Sequence, residues 1–285
     1  METERSPSIE SRLKVVTIRR LYFCQYSSSC RSNISTSVWR LFTIMHLKRN
    51  DPKPLIDPNR LTLIGFRFCP YVDRVRLILS YYKIDYDLIN VSLASKPEWF
   101  LEMYPIGKVP LLLLPNEQKL PESDEIIRHI DKLYGSETLL SHCGIEEFEK
   151  AKELITGISR PSYMIMCVQE INLCDVSLYR AACNKINDAI KGPYFTGPEL
   201  SLADLILFPH LHRFEVVMGR ITGKKPEEIN ELNINDELRK EFPKLTEFLD
   251  TMRKQPFVID VTIPYRIHVE YAASVLSGHA NPDIE

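Results

Sequence analysis

The stretch LTLIGFRFCPYVDRVRLIL, residues 61–79, decides the fold. LTLIGF is a short apolar run and reads as a buried strand. Beyond it Val72, Val75, Leu79 and Tyr82 recur at i, i+3, i+7 and i+10, with Asp73, Arg74, Arg76 and Lys83 elsewhere around the cylinder, so the period changes to that of a helix. Pro70 fits the first turn of this helix, where its missing N–H removes no bond. Cys69 then stands at the N-cap. The positive end of the helix dipole and the free amides of the following residues favour thiolate over thiol there, and thiols so placed ionise with pKa values of roughly 3.5–7.5. A free cysteine is more often an inert packing residue. This one ends a strand and opens a helix, which is where α/β folds place ligands.

Outward from that unit the periods keep alternating. YDLINVSL (86–93) is a second strand, KPEWFLEMY (96–104) a short helix opened by Pro97, and VPLLLLPNEQKLP (109–121) two strands joined at a Pro-Asn-Glu turn. A third helix follows with the stripe Ile126, Ile127, Ile130, Leu133 and Tyr134, Ser123 as N-cap, Asp124 and Glu125 in the first turn, Lys132 near the end and Gly135 as the stop. The order is βαβαββα. A crossover makes the first two strands parallel and a tight turn makes the last two antiparallel, so one four-stranded sheet is expected.

After about residue 145 the strand signals fade. EEFEKAKELITGI (146–158), SLYRAACNKINDAI (177–190), LADLILFPHLHRFEVV (202–217) and FPKLTEFLDTMRK (242–254) carry helical stripes, and Ser201 with Asp204 makes a capping-box start to the third. Pro209 is expected to kink that helix or close it early. Cys167 and Cys174 read as packing residues seven apart on one possible helix. The fold class is thus an α/β amino-terminal domain over 60–137 and an all-helical domain over 145–285.

Residues 1–59 do not fit either domain. From Ser11 to Asn50 there is no Asp or Glu and there are eight Arg or Lys, a bias shared by organelle transit peptides, while NDPKPLIDPN (50–59) reads as an extended linker. A disordered leader that adds no core burial is expected, with the cytoplasm as default location and mitochondria the alternative if it is a transit signal.

Composition narrows the functions. A formal charge of −2 over 285 residues offers no general attraction to nucleic acid or anionic lipid. Seven cysteines, odd in number and without a C-x-x-C pair, indicate neither a disulfide framework nor a zinc site, so no metal is expected. No apolar run approaches the roughly 18 residues of a membrane span. His210 and His212, at i and i+2, face different ways on a helix and make a poor metal pair.

RFCPYVDRVRLIL (67–79), SLASKPEWF (92–100), GKVPLLL (107–113) and PESDEI (121–126) resemble, in order and spacing, the thioredoxin-like domain of omega-class glutathione transferases. FTGPELSLADLILFP (195–209) resembles that family's helical domain, and the likeness runs from about Arg60 to Lys254. It implies the glutathione transferase fold, Cys69 as nucleophile with Pro70 beside it, and glutathione as co-substrate with no permanently bound cofactor. It also implies a cis Val109–Pro110 bond with the Val109 backbone against the cysteinyl part of glutathione, Glu122 and Ser123 on the γ-glutamyl end and Lys96 on the glycyl carboxylate. Read from the residues alone, Val-Pro is a tolerated strand start, Glu122 and Ser123 are helix capping, and Lys96 is a solvated side chain.

The implied activity is glutathione-dependent thiol transfer and dehydroascorbate reduction through a mixed disulfide, with weak conjugation, in a homodimer. Val72 stands where a glutaredoxin carries its second cysteine, so the resolving thiol has to come from a second glutathione. Tyr71 replaces a frequent Phe, and SDEI is more polar than usual. The alternative class is a non-enzymatic ligand carrier or a chloride-channel-like relative of the same fold.

Overall fold

The computed structural model describes residues 45–115, 118–224 and 236–284. Its sheet has five strands: β1 (His46–Leu47), β2 (Thr62–Gly65), β3 (Asp87–Val91), β4 (Leu111–Leu113) and β5 (Lys119–Pro121), in the order β1-β3-β2-β4-β5. β3 runs parallel to β1 and β2, whereas β4 is antiparallel to β2 and β5. Between strands lie α1 (Pro70–Tyr81) and α2 (Glu98–Met103), and α3 (Ser123–Gly135) follows β5. Side chains alternate across the sheet with the period of two that strands impose. Leu63 and Leu112 face α1 and α3, while Ile64, Ile89, Val91, Leu111 and Leu113 form a second core with Trp99 and Phe100 of α2.

β1 corrects the expected leader. Residues 1–44 lie outside the described residues, but His46 and Leu47 pair with Asn90 and Val91, and Leu47 joins the Trp99 core at 8% exposure. The sequence hides this because two residues show no period, and their partner strand is more than forty positions away. The chain's other end reaches the same place. Asp283 Oδ1 accepts from the His46 amide at 2.9 Å and lies 2.7 Å from His46 Nδ1, and Arg67 Nη1 donates to the Ile284 carbonyl.

α3 differs from its expected stripe and caps. Ile126, Ile127 and Ile130 are buried, but Leu133 and Tyr134 are exposed, because the last turn packs through Asp131 and Gly135 against Tyr82 instead. Glu122 is the N-cap, Ser123 is the first helical residue, and the stop is Ser136 in the left-handed region rather than Gly135. Asn116 and Glu117 of the expected turn lie outside the described residues.

The second layer is helical: α4 (Thr138–Cys167), α5 (Leu173–Ala189), α6 (Leu202–Leu211), α7 (Phe214–Ile221), α8 (Asp236–Glu241), α9 (Pro243–Arg253), α10 (Pro256–Ile259) and α11 (Tyr265–Leu276). Asp131 of α3 joins the layers: it accepts from the Tyr82 hydroxyl at 2.5 Å and from the amides of Leu139 and Leu140, which open α4. α6 is buried along its whole length. Its start is saturated, since Asp204 accepts from Ser201 N, Ser201 Oγ and Phe195 N at 2.7–2.8 Å. Pro209 lies inside α6, which ends two residues later before α7 resumes. Cys167 and Cys174 fall on different helices, α4 and α5. No helix among the described residues is long and apolar enough to cross a membrane.

Candidate active site

The register gathers the sequence candidates at one end of the sheet. Ile64 of β2 faces Leu111 of β4, and Leu111 faces Pro121 of β5. The residues just beyond the end of β2, before β4 and after β5 are therefore neighbours: Cys69, the Val109–Pro110 pair, and Glu122 with Ser123. β3 is parallel to β2 and delivers Lys96 to the same end.

Cys69 is the N-cap of α1, with extended φ and ψ of −84° and 118°, and its side chain makes no capping bond. Its carbonyl receives the Asp73 amide at 3.1 Å. Cys69 as a residue is half-buried and packs against the main core. Burial pushes its pKa up, against the amides of Val72 and Tyr71 that pull it down; Asp73 adds to the rise and Arg213 opposes it. The net direction is upward, which overturns the lowered thiol expected from the helix dipole. Dipole and amides are present, but contact with the core costs the thiolate more than they return.

The Val109–Pro110 bond is cis, as expected, and Val109 is partly exposed. Glu122 is exposed and has a φ of 64°, a conformation that costs a non-glycine residue of order 1–3 kcal/mol and persists where the surroundings enforce it. Ser123 is buried at the first turn of α3, where unbonded amides collect. The Lys96 chain lies over Gly107, whose φ is 63°; a Cβ there would come within 3.4 Å of Lys96 Nζ and 2.9 Å of Leu101 Cδ2.

Several residues at this end were missed in the sequence. Arg213, between α6 and α7, is buried, donates to the Phe68 carbonyl at 2.9 Å and pairs with Asp73 at 3.3 Å, clamping the start of α1 to the helical layer. Phe68 stacks on Tyr271 of α11 at 3.9 Å with the rings 5° from parallel. Arg74 is buried, with its guanidinium 4.6 Å from the Tyr71 ring centroid and donating to Ser123 Oγ. The available signal for Arg74 was the second stripe it makes with Leu77 and Ile78; nothing local marked Arg213 or Tyr271.

Histidines do not supply proton chemistry beside the thiol. Burial and the charges of Arg74 and Arg213 hold His210 well below its usual value, and burial with Arg253 and Arg213 brings His212 to about 3, so both rings are neutral near pH 7. Among the described residues no group of three or more His, Cys, Asp or Glu could hold a metal ion.

Residues 63–138 match the family model "Glutathione S-transferase, N-terminal domain", and residues 170–251 match "Glutathione S-transferase, C-terminal domain". The chain belongs to the glutathione S-transferase family. Its two-part architecture is that family's thioredoxin-like domain followed by a helical one, and β1 lies ahead of the first matched range. Among curated glutathione S-transferases it is similar to omega-1 of Sus scrofa, 28% identical over 221 residues that span 74% of this chain and 84% of that protein. It is also similar to the chloroplastic glutathione S-transferase DHAR3 of Arabidopsis thaliana, 29% identical over 53% of this chain and 57% of that one. The solved structure of glutathione transferase Omega 2C from Trametes versicolor shares the fold, with a TM-score of 0.61 and 19% identity over 76% of this chain and 99% of its own.

Proposed function

We propose that this glutathione S-transferase is a glutathione-dependent thiol transferase and dehydroascorbate reductase that works through a mixed disulfide at Cys69. The observation that carries the reading is a cysteine, not a hydroxyl, at the N-cap of α1, with a side chain that makes no capping bond. A hydroxyl steadies a glutathione thiolate; a sulfur can bond to it.

With a glutathionylated thiol as substrate, the Cys69 thiolate attacks the glutathione sulfur and expels the substrate thiolate, which takes up a proton. The thiolate of a second glutathione then attacks the Cys69–glutathione disulfide, leaving glutathione disulfide and free Cys69. With dehydroascorbate the Cys69 sulfur adds to a carbonyl carbon, the thiolate of a first glutathione attacks that sulfur and expels ascorbate, which takes up two protons, and a second glutathione releases the resulting Cys69–glutathione disulfide as before. In this reading Ser123 and the first amides of α3 hold the γ-glutamyl carboxylate, Glu122 meets its ammonium, the Val109 backbone pairs with the cysteinyl part and Lys96 faces the glycyl carboxylate. Only the thiolate fraction reacts, and the amides of Tyr71 and Val72 with Arg213 work to enlarge it against burial. A cytoplasmic homodimer belongs to the same proposal.

The raised thiol favours one second reading, a ligand carrier that binds glutathione without turnover. Intact-mass and peptide analysis after treatment with glutathione disulfide separates the two. One glutathione adduct, located at Cys69 and released by free glutathione, is the expected result; an unmodified Cys69, or an intramolecular disulfide as the main product, would sink the transferase reading.

A further inference from the structure

The proposed cycle leaves Arg74 without a part, and its surroundings are unusual for a cation. It is 4% exposed on α1, its Nε is buried without a hydrogen-bond partner, and Nη1 donates to Ser123 Oγ at 3.2 Å. Arginines are almost never this buried unless an anion is paired with them. Burial accordingly lowers its pKa to about 10, against the fields of Tyr71, Asp124 and Cys69. The nearby anions are already engaged. Asp124 of α3 is 2.7 Å from Lys152 of α4, and Asp73 of α1 pairs with Arg76 and Arg213. His210 of α6, edge-to-face with the Tyr71 ring, is neutral.

Hydrogen-bond direction turns this into a function. A guanidinium can only donate, so Ser123 Oγ is the acceptor in its bond with Arg74, and the hydroxyl proton remains free to be given to something else. Ser123 opens α3, at the positive end of the helix beside unbonded amides. We propose that Arg74 is the positioning residue of an anion subsite: it holds the Ser123 hydroxyl with its proton turned toward the γ-glutamyl carboxylate of glutathione, and it provides the countercharge from below. The proposal rests on the glutathione reading of the site. It adds a residue that touches no reacting atom and acts through Ser123.

The test compares two ligands, glutathione and cysteinylglycine, which lacks the γ-glutamyl group, by calorimetry or competition on the full chain. Arg74→Met should weaken glutathione about tenfold, the loss of one charge-assisted hydrogen bond, and leave cysteinylglycine within about twofold. Arg74→Lys, which keeps the charge but not the planar fork, should fall between. Ser123→Ala and Arg74→Met together should cost no more than the larger single loss, because one residue acts through the other. Equal losses for both ligands would reduce Arg74 to packing and overturn the proposal, as would full additivity. Should Arg74→Met not fold, Arg74→Lys and Ser123→Ala carry the same ligand comparison. A wild-type protein that binds glutathione no better than cysteinylglycine would remove the glutathione reading itself, and Arg74's role with it.

Discussion

The helices α6 and α1 each begin on a small polar residue, and they use that start in opposite ways. At α6, Ser201 and Asp204 close the first turn on themselves, buried, with every oxygen of the Asp204 carboxylate engaged by a donor. At α1, Cys69 closes nothing: its sulfur makes no capping bond and has the amides of Tyr71 and Val72 turned toward it. Both starts carry the same orphan donors. The difference lies in whether the chain satisfies them itself, and under the proposed function that separates a structural helix start from a chemical one.

If the contrast is real, the two starts should fail differently. Cys69→Ser should abolish thiol transfer, by about a thousandfold or more given the weak nucleophilicity of a hydroxyl, while the thermal midpoint stays within about 1 °C. A variant that kept its activity would move the chemistry away from α1.

Asp204→Ala should do the reverse. It orphans three buried donors and should cost about 3–4 kcal/mol in denaturant melts at pH 4, with no change in which ligands bind. That cost should depend on pH. Burial raises the Asp204 carboxyl to about 6, against the donors from Phe195 and Ser201, so its stabilising contribution is complete below about pH 4 and is lost as pH rises through 6. The gap between wild type and Asp204→Ala should therefore shrink from pH 4 to pH 7, by up to about 3 kcal/mol. A gap that widened with pH would mean that the donors outweigh burial at this site.

The smallest effect is on the rate of alkylation. Because burial outweighs the amides at Cys69, iodoacetamide should label the ligand-free protein slowly near neutral pH, with a midpoint above that of a free cysteine. A midpoint below 7 would restore the dipole as the stronger influence and sharpen the contrast with α6.

What the sequence could show divides along the same physical line. β2, α1 and the Ser201–Asp204 box were legible because each is written within one or two helical turns, in a period or a spacing. The placement of Lys96, Val109, Glu122 and Ser123 at one end followed from the resemblance, and the strand register brings them there. β1 was not legible, since a two-residue strand exists only through its partner. Arg74 stood simply off the apolar stripe of α1 in the sequence, because its burial is decided by α3 and α6 packing over it. The thiol's direction was misread for a related reason: the dipole is local and visible, whereas the desolvation comes from contacts with residues far along the chain.

The meeting of Asp283 with His46 has a consequence for the molecule's behaviour in a crowd. Among the described residues β1 is the outermost strand, and an open edge strand presents unpaired amides and carbonyls on which another chain can template itself. Here the chain's own far end takes the His46 amide and anchors beside it through Arg67 and Ile284. That edge of the sheet is therefore blunted by a charged side chain, Asp283, that answers the His46 amide from a segment more than two hundred residues further along.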